Sequence, residues 1–435
     1  MHENAPDNKF FNILSVLSFS IMLFGLFYSR AILTFGICSF FILVLFQGSF
    51  RISLKKYVSD PFAMILLLLF LIPFISGLWS FNKEEWWHSC SVKLPLVFLP
   101  FAFLNAPKLT WVQKQVAPAI FILLVAGGTI WSIYYYLQDR SLLEAGYLIS
   151  HLIDVPLNND HILFSWAVVI SLLLLGSQIP KLQTDNSSMF HTAERVKQLE
   201  NKELQTDNKS IFHKAYRLLR YIAMIWLIVY LHLLASRTGL LAFYVLAVTW
   251  LVASFRKRPI LHSLMMIAIC VTLPLIAFNI LPSFHNRIVY MLYDARQYLR
   301  GNFLPGFSDV SRAASYRGGL DLLQHNLIGG VGFGDVHDAM NNWYAHNFAQ
   351  FSAHDKILPH NEWLMFGAGA GIPGVVIITA CAFYPIFNRT SWLVTAFHIT
   401  ACLCFLTDLP LELQNGTFIF CFFSYLLRSG LKKEA

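Results

Sequence analysis

The chain has 435 residues, of which 56% are hydrophobic and only 13% charged, with 39 Phe and 11 Trp. A soluble domain carries about 25% charged residues, so this composition excludes an ordinary soluble enzyme and predicts an all-α polytopic membrane protein whose surroundings are membrane lipids. The net charge of +8 says less than its distribution between loops, and no nucleic-acid partner is expected.

In chain order, the opening "MHENAPDNKFF" is polar and acidic before one Lys. No A-x-A site follows the first apolar run, so that run is expected to be a retained span. Twelve apolar runs are predicted as spans: 10–28, 31–48, 61–79, 93–105, 116–138, 161–178, 219–235, 239–255, 259–281, 361–386, 391–407 and 415–428. The fourth is too short to cross a bilayer upright and reads as broken or re-entrant. With a cytoplasmic N-terminus, about two thirds of the 32 Lys and Arg fall on the inner side, including "RKR" at 256–258, as the positive-inside rule requires. Both termini then face the cytoplasm.

Two long loops interrupt this single transmembrane domain. The inner one, 179–218, contains "LQTDNSSMFHTA" at 182–193 and again, as "LQTDNKSIFHKA", at 204–215, a duplication with a 22-residue period. Two copies do not make a solenoid, so a local duplication in a tolerant loop is expected. The outer loop, 282–360, carries equal numbers of basic and acidic residues among many aromatics. It is expected to fold as short helices against the outer face. Ile288, Met291 and Leu292 give one such helix an apolar side. Six of the seven cysteines lie in apolar runs, leaving Cys90 in a loop, and there is no C-x-x-C pair. This pattern excludes a disulfide framework.

Three stretches carry residues suited to chemistry. In "LLASRTGLLAF", 233–243, Arg237 sits in a very short outer turn, where Ser236 and Thr238 are placed to cap backbone ends. A guanidinium at this depth reads either as a functional group or as a side chain snorkelling to lipid phosphates. In "SRAASYRGGLDLLQHNLIGGVGFGD", 311–335, Tyr316, Leu320 and Leu323 share a helical face. Arg317 and Asp321, four residues apart, form either a surface ion pair or an anion ligand with its orienting carboxylate. The glycines that follow permit a tight turn but lack the βαβ context of a nucleotide fold. In "KILPHNEWLMFGAGAGIPGVV", 356–376, His360 and Asn361 open the tenth run. An imidazole there is either an interface residue or a general base. The spacings of His337, His346, His354 and His360 match no helical or HExxH metal pattern, so no metal and no cofactor is expected.

The order S-R-T-G in a short turn, an Arg-bearing helix followed by glycines, then H-N at a span's start resembles the O-antigen ligase and O-antigen polymerase superfamily. The motif resemblance covers about 230 to 375. It implies a GT-C-like membrane fold with a helical extracytoplasmic loop domain in the bacterial inner membrane. It also implies metal-independent, inverting transfer of a glycan from undecaprenyl pyrophosphate to a lipid A-core hydroxyl or another glycan acceptor. The family's turn Arg corresponds to Arg237, its loop Arg to Arg317 and its loop His to His360, the implied catalytic base. Gly318, Gly319 and Leu320 stand where the family often has an aromatic, which makes Arg312 the second candidate for the loop Arg. Lys93 is a further outer-side cation placed to meet pyrophosphate. A polysaccharide polymerase or a protein O-oligosaccharyltransferase fits the same motifs. A transporter or flippase of a lipid-linked or anionic solute fits the span count, but its site belongs near the midplane, whereas the polar residues gather on one face.

Overall fold

The runs fold as helices because a chain surrounded by hydrocarbon must satisfy its own backbone groups. The computed structural model describes residues 9–149, 151–177, 196–255, 260–300, 308–388 and 391–430, and every regular element among them is helical. The first half contains α1 (Lys9–Tyr28), α2 (Arg30–Leu45), α3 (Phe50–Ser59), α4 (Pro61–Ser76), α5 (Lys83–Val92), α6 (Pro95–Asn105), α7 (Trp111–Gln138), α8 (Arg140–Gly146) and α9 (His161–Ser177). The second contains α10 (Val196–Leu234), α11 (Arg237–Phe255), α12 (Ile260–Ile280), α13 (Pro282–Leu299), α14 (Ser308–His325), α15 (Val336–Asn347), α16 (Glu362–Phe387), α17 (Trp392–Thr407) and α18 (Gln414–Arg428).

Each of the twelve expected runs falls on a helix, but length changes the count. Among the described residues six helices are long and apolar enough to cross a membrane, or seven if α2 and α3, bent by 115°, form one span. Several others, α4, α9 and α17 among them, are apolar but only 10–17 residues long. The fourth run is also corrected. Joined through α5, it extends over Lys83–Asn105, 23 residues, and is long enough to span. The sequence hid this because α5, "KEEWWHSCSV", is polar. The first copy of the duplicated segment, 182–193, lies outside the described residues.

The core lies around α9, α17 and α18. Every residue of α18 from Asn415 to Leu427 is buried, and α9 is buried on all sides from Leu163 to Leu175. Trp166 stacks on Phe397 at 5.7 Å and donates its indole N–H to Thr400 Oγ1 at 3.2 Å. A buried aromatic with a satisfied N–H fixes neighbouring helices in register.

The 282–360 loop folds as expected into helices, α13 to α15, and its glycine run is built into the bundle. At Gly371 (φ 68°, ψ −152°) α16 leaves helical geometry, which frees backbone groups that a membrane helix cannot leave unpaired. The loop supplies partners: Val331 N–H donates to Ala368 O at 2.8 Å, Gly332 N–H to Gly369 O at 3.1 Å, and Ile372 N–H to Leu327 O at 2.8 Å. Gly330 (φ 65°) approaches so closely that a Cβ there would lie 2.3 Å from Ala370 N. Only glycine fits both the angle and the space.

Candidate functional site

The C-terminal end of α17 gathers the three stretches singled out in the sequence. Leu406 O accepts from Tyr316 OH of α14 and from Asn361 Nδ2 at the head of α16, each at 3.1 Å. Thr407 Oγ1 meets Thr238 Oγ1 of α11 at 2.9 Å. Asn361 also caps α16, its Oδ1 accepting from Leu364 N–H at 3.1 Å. The next residue along, Asp408, therefore stands where α11, α14 and α16 meet.

His360 is held at this junction. Its backbone N–H donates to Ser315 Oγ at 3.3 Å, and the neighbouring Pro359 packs against Gly319. Its Nδ1 lies 3.0 Å from Asp408 Oδ1, off the line of a straight hydrogen bond. The ring is 23% exposed. Among the described residues Nε2 has no partner and is not enclosed. A carboxylate beside one ring nitrogen favours the proton there, leaving the other as the acceptor. A second carboxyl, Asp160, lies within electrostatic reach of both groups. Burial and the charge of Asp408 push Asp160 up to about 6, against the opposing pull of two backbone N–H bonds.

Arg237 forms an ion pair with Asp309 through Nη1 and Oδ1. Its Nε and Nη2 are buried and have no hydrogen-bond partner among the described residues. Asp309 is itself fixed by its backbone N–H, which donates to Asp294 Oδ2 at 2.9 Å. Burial, reinforced by the Asp309 carboxylate, holds Asp294 above the usual carboxylate range. Two further guanidiniums lie nearby: Arg287 is within electrostatic reach of Arg237, Asp309 and Arg312. Arg287 is pushed down to about 10 by burial and by repulsion from Arg237 and Arg312. Tyr316 links the halves of the site. Its hydroxyl is held above the ordinary tyrosine range chiefly by burial, while it feels Arg312 on one side and Asp408 and Asp309 on the other.

Arg312 lies within electrostatic reach of Arg287 and Tyr316, whereas Arg317 lies against α13. Arg317 is exposed and donates to Tyr298 OH at 3.0 Å, its guanidinium 5.7 Å from that ring's centre. Asp321 does not orient it; its carboxylate lies 3.5 Å from His325 Nδ1. Ser236 and Thr238 do not cap backbone ends with their side chains. Ser236 Oγ meets Ser165 Oγ at 3.1 Å, and Thr238 meets Thr407, so both lock α11 to its neighbours. Lys93 is fully buried, its Nζ 2.5 Å from Glu412 Oε2 and 2.9 Å from Ser89 Oγ, so its charge is directed at a protein carboxylate rather than at an incoming pyrophosphate.

Sequence reasoning passed over Arg287, Asp309, Asp408 and Asp160. One signal was available: between 391 and 427 the only acidic residues are Asp408 and Glu412, and carboxylates are scarce in such apolar stretches unless they have a task. Residues 222–379 match the family model described as O-Antigen ligase, which supports membership of the O-antigen ligase superfamily. The match runs from α10 to α16 and so contains Arg237, Arg287, Asp309, Arg312 and His360, whereas Asp408 lies beyond it. No curated protein matches the chain.

Proposed function

We propose that this chain, whose residues 222–379 match the O-Antigen ligase family model, is a membrane glycosyltransferase of the O-antigen ligase type. In this reading it moves a glycan from undecaprenyl pyrophosphate to a lipid A-core hydroxyl at the outer face of the inner membrane. The observation that carries the proposal is the junction of His360 and Asp408 beside Arg237, Arg287 and Arg312.

His360 Nε2 removes the proton from the acceptor hydroxyl as that oxygen attacks the anomeric carbon. The new C–O bond forms opposite the leaving group, inverting the carbon. The bond to the pyrophosphate oxygen breaks and its electron pair stays on the pyrophosphate. Asp408, beside Nδ1, orients the ring and stabilises the imidazolium that results. The guanidiniums stabilise the charge growing on the leaving group. Each presents several N–H donors in a rigid fork suited to phosphate oxygens. In the structure the Asp309 carboxylate occupies one arm of Arg237 as an anion would. The polyprenyl chain has hydrocarbon beside the bundle to lie in.

The decisive experiment reconstitutes purified protein with lipid-linked glycan and lipid A-core, and measures both the ligated product and released undecaprenyl pyrophosphate. Transfer by the wild type and its loss in His360→Ala support the reading. Full transfer by His360→Ala overturns the mechanism. In a deletion strain, loss of ligation leaves long lipid-linked polymer, whereas accumulation of single repeats on the core identifies a polymerase instead.

A further inference from the structure

A second site lies on the flank of the bundle, apart from the arginine cluster. Between α2, the α5–α6 span and the head of α18 is an open cavity of about 330 Å³. Its walls change character with depth. Near the end of the bundle that carries the long loop they present Arg30, Thr34, His88, Ser91 and Gln414. Further along the same helices they present Ile37, Val92, Pro95 and Phe98. On α2 this change takes two turns, from Arg30 to Cys38, a distance of about 12 Å. Arg30 is exposed, and among the described residues its guanidinium has no hydrogen-bond or ion-pair partner. The rim is held in place, because Gln414 Nε2 donates to Thr34 Oγ1 at 2.8 Å and Thr34 Oγ1 donates to Arg30 O at 2.9 Å.

We propose that this groove binds an anionic membrane lipid, with its phosphate head on Arg30 and the first part of one acyl chain against Ile37, Pro95 and Phe98. Three features select that ligand. Arg30, a cation at the rim without a partner among the described residues, matches a head with net negative charge. The polar-to-apolar gradient follows the axis of a lipid rather than that of a small soluble anion. The opening is on the flank, where lipids are the solvent. The groove is also joined to the catalytic junction. The short segment from Asp408 to Gln414 carries the partner of His360 at one end and a rim residue at the other. Between them, Glu412 pairs with Lys93, and Leu411 N–H donates to the buried Glu362 Oε1 at 2.6 Å. A lipid in the groove therefore braces the segment that carries Asp408.

The test is lipid retention by native mass spectrometry after exchange into nanodiscs of phosphatidylglycerol or phosphatidylcholine. The wild type is expected to retain phosphatidylglycerol in preference to phosphatidylcholine. Arg30→Gln should weaken that retention about fivefold, the contribution of one basic side chain near an anionic surface, while Arg30→Lys keeps most of it. Cys38→Trp, which fills the lower groove from an exposed position, should lower retention with the Arg30 charge intact. Equal retention of the two lipids by the wild type, or phosphatidylglycerol retention unchanged in both Arg30→Gln and Cys38→Trp, would overturn the proposal. So would displacement of phosphatidylglycerol by millimolar inorganic phosphate, which would mark a small-anion site. None of these readings requires transfer activity, so the groove and the proposed reaction stand or fall separately.

Discussion

Two ion pairs share one end of this bundle, and they differ in what they leave unsatisfied. Lys93 is wholly buried. Its ammonium meets Glu412 Oε2 and Ser89 Oγ, and the rings of Phe333 and Phe366 lie 5.2 and 5.9 Å away. An ammonium has three donors, and here its surroundings are complete. Arg237 has five N–H donors to place, yet among the described residues only Nη1 has a partner, and the side chain is 25% exposed. A positive charge at this end of the bundle is therefore a poor guide to anion binding. The better guide is a cation with donors left over, held by a carboxylate that an anion can replace.

The comparison breaks first at the base. His360→Ala should lower turnover by about 10²–10⁴-fold with the fold intact, the usual contribution of a positioned base; initial rates alongside a thermal unfolding scan check both halves. Lys93→Met should act on the other readout. It strands Glu412 in the interior and should cost about 3–5 kcal/mol of stability. Adding Glu412→Leu should restore much of that, and activity per folded molecule should survive in the double variant. If Lys93→Met is stable and inactive, Lys93 belongs with the site after all. Arg237→Ala should lower turnover by about 10²–10³-fold, as loss of one charge-stabilising donor group does, with Arg237→Lys only partly restoring it because the fork is lost.

Smaller effects sharpen the picture. Asp160, at about 6, lies above a free aspartate. Its contribution to stability is therefore complete below about pH 4 and is lost as pH rises through 6. Asp160→Asn keeps the cap at Leu163 N–H and removes the charge near Asp408. Unfolding temperatures in detergent at pH 5 and 7.5 should show the variant gaining on the wild type at the higher pH. Arg317→Ala should change turnover by less than about threefold, as expected of an exposed side chain, while Arg312→Ala should have the larger effect.

Much of this was visible in the sequence, and the losses have physical causes. Apolar runs located the helices, because hydrocarbon length and backbone satisfaction leave few alternatives. Arg237 stood out because a guanidinium in a short turn between spans is conspicuous. The choice between Arg312 and Arg317 could not be made from motif order alone. Five residues along a helix turn a side chain through about 140°, so only one of the two shares a face with Ser315 and Tyr316. Asp408 and Asp160 gain their meaning from His360, far away in the chain, and long-range pairing leaves no local periodicity to read. The glycine stretch 329–334 reads in the sequence as a tight turn, with no local sign that it meets the glycines at 367–374. Folded, each is the other's partner.

That partnership limits how the long loop can move. The bonds from Val331, Gly332 and Ile372 rivet the loop to the break in α16, and undoing them would strand main-chain polar groups among apolar neighbours. Any movement that admits a bulky substrate must therefore spare the stretch from Leu327 to Gly332. Backbone amides at 331 and 332 in the loop, and at 372 in α16, should be among the slowest to exchange with deuterium.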